Sequence, residues 1–174
     1  MKTTMYYYLR VPSFMLSILI IGSFFTEAIS IQKNQKEKPT TTQQTLALIK
    51  PNAVAVGHTG DIIKTIERNG LSIVKMKKFT IPKEKAQLFY AEHKGKPFFD
   101  SLMQFMTSGP IVAMLLEGDD AIKAWRTLMG ATDPVKAAPG TIRKMYALNK
   151  QKNAVHGSST PEAAQKEIAI IFGK

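Results

Sequence analysis

Residues 45–51 read Thr-Leu-Ala-Leu-Ile-Lys-Pro, a short apolar run that ends in a lysine and a proline. The run predicts a buried β-strand, because it is continuously apolar and because the residue before a proline avoids helical backbone angles. A strand that ends here delivers the charged Lys50 to the edge of the sheet. The folded domain is therefore expected to begin near Thr45.

Hydrophobic spacing predicts the two elements that follow. Isoleucines at 62, 63 and 66 recur at helical intervals, and Asn69-Gly70 supplies a left-handed stop, so a helix is expected there. Residues 71–80 place polar side chains between apolar ones, which predicts a strand with one face in water.

The remaining pattern completes an order of βαβ, helices, βα, loop, β and α. This order predicts an α+β sandwich, in which helices cover one face of a four-stranded, mainly antiparallel sheet. Asp119-Asp120 is expected to cap one helix and Thr160 another. The segments are helices at about 83–93 and 98–107, a buried strand at 111–116, a helix with Ile122, Trp125 and Leu128 on one face, a loop at 130–140, a strand at 153–156 and a closing helix from Pro161.

The first thirty residues read as a targeting segment. Lys2 and Arg10 flank a tyrosine run, and the apolar residues 11–25 that follow are fewer than the roughly 20 that a spanning helix needs. We therefore predict a signal peptide or signal anchor at 1–30, a flexible, lysine-rich linker at 31–44 and a catalytic domain at 45–174. Export or membrane anchoring is expected, and a misassigned start with a cytoplasmic product is the alternative.

The charge balance indicates an anionic partner. The chain has 24 Lys and Arg against 13 Asp and Glu, a formal net charge of +11, and no cysteine. The charge attracts polyanions such as nucleotides or nucleic acid. The lack of cysteine excludes disulfides, thiolate catalysis and zinc-thiolate sites.

Two alternatives to an enzyme stay open at this point. A basic, four-stranded sandwich also describes RNA-recognition modules, but those place stacking aromatics on the central strands, and residues 71–80 contain only Phe79 while 111–116 contain none. The other alternative is an exported surface protein that keeps the fold and has lost catalysis.

Residues 153–158, Asn-Ala-Val-His-Gly-Ser, carry the strongest chemical signal. An imidazole with a pKa of roughly 6.5 is largely neutral and nucleophilic at cellular pH. Lys50, Arg126 and Arg143 offer positive charge for phosphate oxygens. His156 is therefore the candidate for a phosphohistidine intermediate, whereas His58 and His93 are interpreted as surface or core residues and Trp125 as core.

Several separate motifs occur in one order along the chain. They lie at 49–54, 89–93, 96–99, 106–110, 130–134, 140–143 and 153–158. On these motifs the chain from Thr45 to Phe172 closely resembles the bacterial nucleoside diphosphate kinases.

The resemblance implies a ferredoxin-like fold and a ping-pong reaction. The γ-phosphate of a nucleoside triphosphate, typically ATP, would pass to the pros nitrogen of His156 and then to a nucleoside diphosphate, maintaining the NTP and dNTP pools. Glu167 would orient His156 through the other ring nitrogen. Tyr90 and Ser158 complete the catalytic set that the family implies.

The resemblance also assigns the nucleotide contacts and the partners. Mg²⁺ would arrive on the nucleotide phosphates, with no cage of protein ligands, and the family forms homo-oligomers, either tetramers or hexamers. Stacking on an aromatic ring implies broad base acceptance. By similarity, Lys50, Arg126 and Arg143 hold the phosphates, Thr132 donates to them, Asn153 contacts the sugar side and Phe98 stacks on the base.

Two positions depart from the family pattern. Ser159 stands where an aspartate is usual, and Met145 stands where an acidic residue is usual. Both departures remove negative charge beside the predicted site.

Overall fold

The computed structural model of the protein describes residues 42–173. The signal peptide or anchor predicted for residues 1–30, and the linker up to residue 41, lie outside the described residues. Among the helices of the described part, none has the length and apolar character of a membrane-spanning segment.

Four strands form one antiparallel sheet with the order β2-β3-β1-β4. This arrangement confirms the predicted α+β, ferredoxin-like class. The strands are β1 (Thr42–Ile49), β2 (Ser72–Phe79), β3 (Ile111–Asp119) and β4 (Val155–Gly157).

The helices follow the expected order, with two additions. A short helix begins directly after β1 and another lies between the long loop and β4; the sequence predicts neither, because five residues are too few to show a helical period. The helices are α1 (Pro51–Ala55), α2 (Thr59–Arg68), α3 (Lys83–Phe89), α4 (Phe99–Met106), α5 (Ala121–Met129), α6 (Ile142–Tyr146) and α7 (Pro161–Phe172), with a 3-10 turn at Ala91–His93.

Both faces of β1 are buried, so the expectation that helices cover one face is wrong. Ala47 and Ile49 pack into one apolar cluster with side chains of α2 and α5. Leu46 and Leu48 pack into a second cluster with side chains of α3, α4 and α7. This two-sided burial explains why residues 46–49 are continuously apolar.

The N-terminal ends of β1 and α5 differ from the sequence prediction. β1 begins at Thr42, so residues 42–44, predicted as linker, pair with residues 117–119 of β3.

Asp120 precedes α5 in a left-handed conformation, and its side chain does not cap the helix. Gln43 Oε1 instead accepts from Ile122 N at 2.9 Å. The cap predicted at Thr160 is confirmed, since its Oγ1 accepts from Ala163 N at 3.1 Å.

β4 packs against α5 at Gly157, and this contact leads to a prediction. A Cβ added at Gly157 would overlap the ring of Trp125 and the Cε of Met129. We expect Gly157→Ala to lower the free energy of unfolding by about 1–3 kcal/mol, because the core would be overpacked. Urea denaturation measures the change.

Gly60→Ala is the matched control, because no atom lies within 4 Å of the position of its added Cβ and the residue is helical. Its stability should stay the same or rise by about 0.5–1 kcal/mol. Equal stabilities of the two variants would contradict the packing contact.

Candidate active site

A cleft of about 580 Å³ brings the predicted site residues together. Glu167 and Ser158 do not line the cleft, and they contact its walls through hydrogen bonds described below. The predicted residues that line it are Lys50, Tyr90, Phe98, Arg126, Thr132, Arg143, Asn153 and His156.

His156 is held by the strand that carries it. It lies on β4 opposite Leu48 of β1. Trp125 Nε1 donates to the His156 carbonyl at 3.0 Å. The imidazole meets the rings of Phe89 and Tyr90 edge to face, with centroids 5.1 and 6.2 Å away. These contacts fix the backbone and leave the ring 21 % exposed.

A single carboxylate oxygen orients the imidazole. His156 Nε2 lies 3.0 Å from Glu167 Oε2, and Ser158 Oγ donates to the same oxygen at 2.6 Å. Burial acts to raise the pKa of Glu167, but the hydrogen bond and charge of His156 and the hydrogen bond from Ser158 outweigh it and lower that pKa. An ionised Glu167 accepts Nε2–H, which leaves the lone pair on Nδ1.

Lys50 is a buried cation directly before α1. Its backbone N donates to Ala154 O at 2.8 Å, and its Nζ donates to Gln151 O at 3.4 Å. Burial, and then the nearby charge of Arg143, lower the pKa of Lys50 to about 7. The Lys50 side chain is therefore held in place by a carbonyl oxygen, and it gains or loses its proton near neutral pH.

Arg143 joins the long loop to β4. Its Nη1 donates to Gly130 O at 2.8 Å and its Nη2 to Val155 O at 3.2 Å, while the buried Nε has no partner. Burial, and then the charge of Arg126, lower its pKa to about 10. Arg126 itself is an exposed side chain on α5.

The other predicted residues differ in exposure. Thr132 is exposed on the loop after α5, and Phe98 is 44 % exposed. Asn153 is buried with its Oδ1 unpaired, and it precedes Ala154, which has a strained φ of 67°. The Tyr90 hydroxyl is also buried without a partner, and burial together with the charge of Glu167 raises its pKa.

The cleft contains further residues that the sequence analysis did not assign to the site. His93, Lys150 and Gln151 line it, although His93 is interpreted from the sequence as a surface or core residue. His93 could have been assigned to the site because it belongs to the motif at 89–93. No sequence pattern marks Lys150 or Gln151. Trp125 is fully buried, as predicted, and its bond to His156 needed the structure.

The two departures from the family pattern occupy different places. Ser159 is exposed and lines the cleft, whereas Met145 is an exposed residue of α6 that does not. In residues 42–173, no cluster of three or more His, Asp or Glu side chains is arranged to hold a metal ion.

Comparison with known proteins gives one consistent family. The family model for nucleoside diphosphate kinase matches residues 43–174. A nucleoside diphosphate kinase from Staphylothermus marinus is 53% identical over 131 residues, which cover 75% of this chain and 93% of that protein.

Solved structures agree with this match. A nucleoside diphosphate kinase from Aquifex aeolicus superimposes with a TM-score of 0.74 at 44% identity, covering 76% of this chain and 96% of that chain. A halophilic nucleoside diphosphate kinase from Halobacterium salinarum in complex with CDP has a TM-score of 0.74 at 46% identity, covering 76% and 88%.

Proposed function

The chain belongs to the nucleoside diphosphate kinase family, and we propose that His156 is the residue that carries the phosphoryl group between nucleotides. The protein is a nucleotide-binding kinase that transfers the terminal phosphate of a nucleoside triphosphate to a nucleoside diphosphate. The observation that supports His156 is the engagement of its Nε2 by Glu167, within a cleft whose other walls carry cations.

The proposed reaction has two symmetric halves. The Nδ1 lone pair attacks the γ-phosphorus of the triphosphate, typically ATP, and the bond to the bridging oxygen breaks, so the diphosphate leaves. A terminal phosphate oxygen of the second diphosphate then attacks the phosphohistidine and releases free Nδ1. Ionised Glu167 stabilises the positive charge that the imidazole gains, and Ser158 holds that carboxylate.

Phosphate binding follows from the charge of the cleft. Lys50 and Arg143 are anchored by carbonyl oxygens, so they are already positioned when the ligand arrives. A charge-assisted hydrogen bond from such a group contributes roughly 1.5–3 kcal/mol. Arg126 and Thr132 add donors from α5 and from the following loop.

The remaining groups suit the nucleoside. Phe98 offers an exposed ring on which any base can stack. Asn153 Oδ1 is an unpaired acceptor suited to a sugar hydroxyl, and the protonated Tyr90 hydroxyl is an unpaired donor near the imidazole.

Mg²⁺ fits this site as a companion of the substrate. The cleft offers mainly cations and neutral donors, which bind phosphate oxygens, whereas Mg²⁺ prefers oxygen ligands and retains several waters. The phosphates and water would therefore hold the ion, which neutralises phosphate charge. Lys50 and Arg143 would bind the phosphate oxygens that it leaves free.

The partners beyond the nucleotides rest on resemblance and charge. A homo-oligomer, either a tetramer or a hexamer, is proposed from the family, and sedimentation equilibrium would overturn it by showing a monomer. The net charge of +11 supports incidental binding of polyanions. The match to the kinase family disfavours both a nucleic-acid-binding protein and an inactive homologue as the main function.

The first catalytic prediction concerns the phosphoryl carrier. Protein incubated with γ-labelled ATP and Mg²⁺ should acquire acid-labile label and pass it to an unrelated diphosphate. His156→Ala should remove the label, and a metal chelator should prevent labelling of the wild type. His58→Ala is the control, because His58 packs against the ring of Tyr146 and does not line the cleft. Label retained by His156→Ala would move the acceptor elsewhere.

The second prediction follows from the lowered pKa of Lys50. An anionic phosphate beside Lys50 raises this pKa again, so nucleotide binding should take up a proton above pH 7. Uptake should approach one proton at pH 8 and vanish near pH 6, where Lys50 is already charged. Affinity should fall as pH rises above 7.

Titration calorimetry in buffers of different ionisation enthalpy measures the proton uptake. Lys50→Gln should abolish the uptake, because glutamine does not titrate. The same uptake in the variant and the wild type would assign the proton to another group.

The location of the enzyme is a separate proposal. Charged residues followed by the apolar segment 11–25 support export or membrane anchoring, and a cytoplasmic enzyme is the alternative. Fractionation with N-terminal sequencing should find a product that starts near Ile31 outside the cytoplasm, or the full chain in the membrane. A soluble cytoplasmic product that starts near Lys38 would overturn the proposal.

A further inference from the structure

Residues 149–153 form a loop with a fixed backbone beside the cleft. Asn149 Oδ1 accepts from Gln151 N at 3.0 Å and from Lys152 N at 2.8 Å. Asn153 Nδ2 donates to Lys150 O at 2.9 Å. These hydrogen bonds fix the backbone of Lys150 and Gln151, whose side chains line the cleft.

The loop lies at the end of the cleft where Phe98 is exposed. Ser101 Oγ is 3.2 Å from Gln151 Oε1 and 2.9 Å from Phe98 O, so its one hydrogen can be donated to either oxygen, and the loop lies against the first turn of α4. Lys150 is the neighbour of Gln151 and lines the same cleft. A base that stacks on Phe98 would thus have Lys150 beside it.

The exposed side chain of Lys150 forms an ion pair with Asp133. Its Nζ lies 3.5 Å from Asp133 Oδ2, and Asp133 is itself held because its Oδ1 accepts from Val135 N at 3.1 Å. Lys150 lines the cleft and Asp133 does not. The pair therefore presents a donor to the ligand, and two of the three ammonium hydrogens remain available.

The acidic group in the same lining has its own partner. Glu92 Oε1 lies 3.6 Å from His93 Nε2, and His93 meets the Phe98 ring edge to face with centroids 5.6 Å apart. The carboxylate is thus directed to His93, and Lys150 is an exposed charged donor on the loop at this end of the cleft. Arg143, by contrast, is anchored to β4 through Val155 O, and Lys50 is held by the backbone carbonyl of Gln151.

We infer that Lys150 contacts the edge of the base. It favours a carbonyl oxygen over an amino group at position 6 of a purine or position 4 of a pyrimidine. An ammonium only donates, so it can bond O6 of guanine or O4 of uracil and thymine but repels the amino hydrogens of adenine and cytosine. The inference rests on the proposed function, because it needs a nucleotide in this cleft. Stacking on Phe98 still admits every base, and Lys150 grades them.

The test uses purified full-length phosphoenzyme, discharged by one nucleoside diphosphate at a time in a quench-flow instrument. Comparison within a ring size removes differences in stacking, so GDP and IDP are compared with ADP, and UDP with CDP. We expect the oxo members to discharge the wild type about two- to fivefold faster at subsaturating concentration, the range for a partly exposed charged contact.

Lys150→Met keeps the length of the side chain and removes its donors. Its ratios should fall to near one, through a higher apparent KM for the oxo nucleotides at unchanged saturating rate. Lys152→Met is the matched control, since it removes the same charge from the same loop at an exposed residue that does not line the cleft. It should keep the wild-type ratios.

The outcomes separate this inference from the proposed function. A protein that forms no phosphoenzyme overturns the role of His156. A phosphoenzyme that GDP and ADP discharge equally, or ratios that survive in Lys150→Met, overturns the role of Lys150 and leaves the kinase intact.

Discussion

The hydrogen bonds that converge on Glu167 Oε2 are the contact on which the site depends. His156 Nε2 and Ser158 Oγ both reach this oxygen, so the carboxylate fixes which imidazole nitrogen keeps its proton. Ser158 Oγ in turn accepts from Leu46 N at 3.2 Å, which links the arrangement to β1. A change in the register of β1 and β4 would therefore alter the tautomer and the direction of His156.

The sheet supplies this precision because its central strand is buried on both faces. β1 pairs with β3 along its whole length and with β4 over three residues near its end. Its last hydrogen bond, from Lys50 N to Ala154 O, places the buried cation against the loop that precedes β4. His156 on β4 and Lys50 directly after β1 are thus positioned by adjacent strands, where a hydrogen-bonded ladder leaves little freedom.

The sequence revealed the parts of this arrangement that depend on local pattern. The apolar run at 45–49 indicated the strand, and the motif at 153–158 pointed to the histidine that lines the cleft. Contacts between distant residues left no pattern: Gln43 caps α5 from 79 positions away, and Lys150 is tethered by the loop that contains Asp133. The two five-residue helices also left no sequence pattern, because so short a helix takes its stability from packing rather than from its own residues.

The buried cations show where the sequence departs from the rules of a stable core. Lys50 and Arg143 are each more than nine-tenths buried, and the pKa of each is lowered, first by burial and then by a neighbouring positive charge. Among residues 42–173, the hydrogen-bond partners of their side chains are the carbonyl oxygens of Gln151, Gly130 and Val155. Carbonyl dipoles hold a cation in position without cancelling its charge, so the cleft keeps a positive field. In the reaction we propose, a phosphate group would relieve that repulsion, which would add to the affinity of the cleft for the anion.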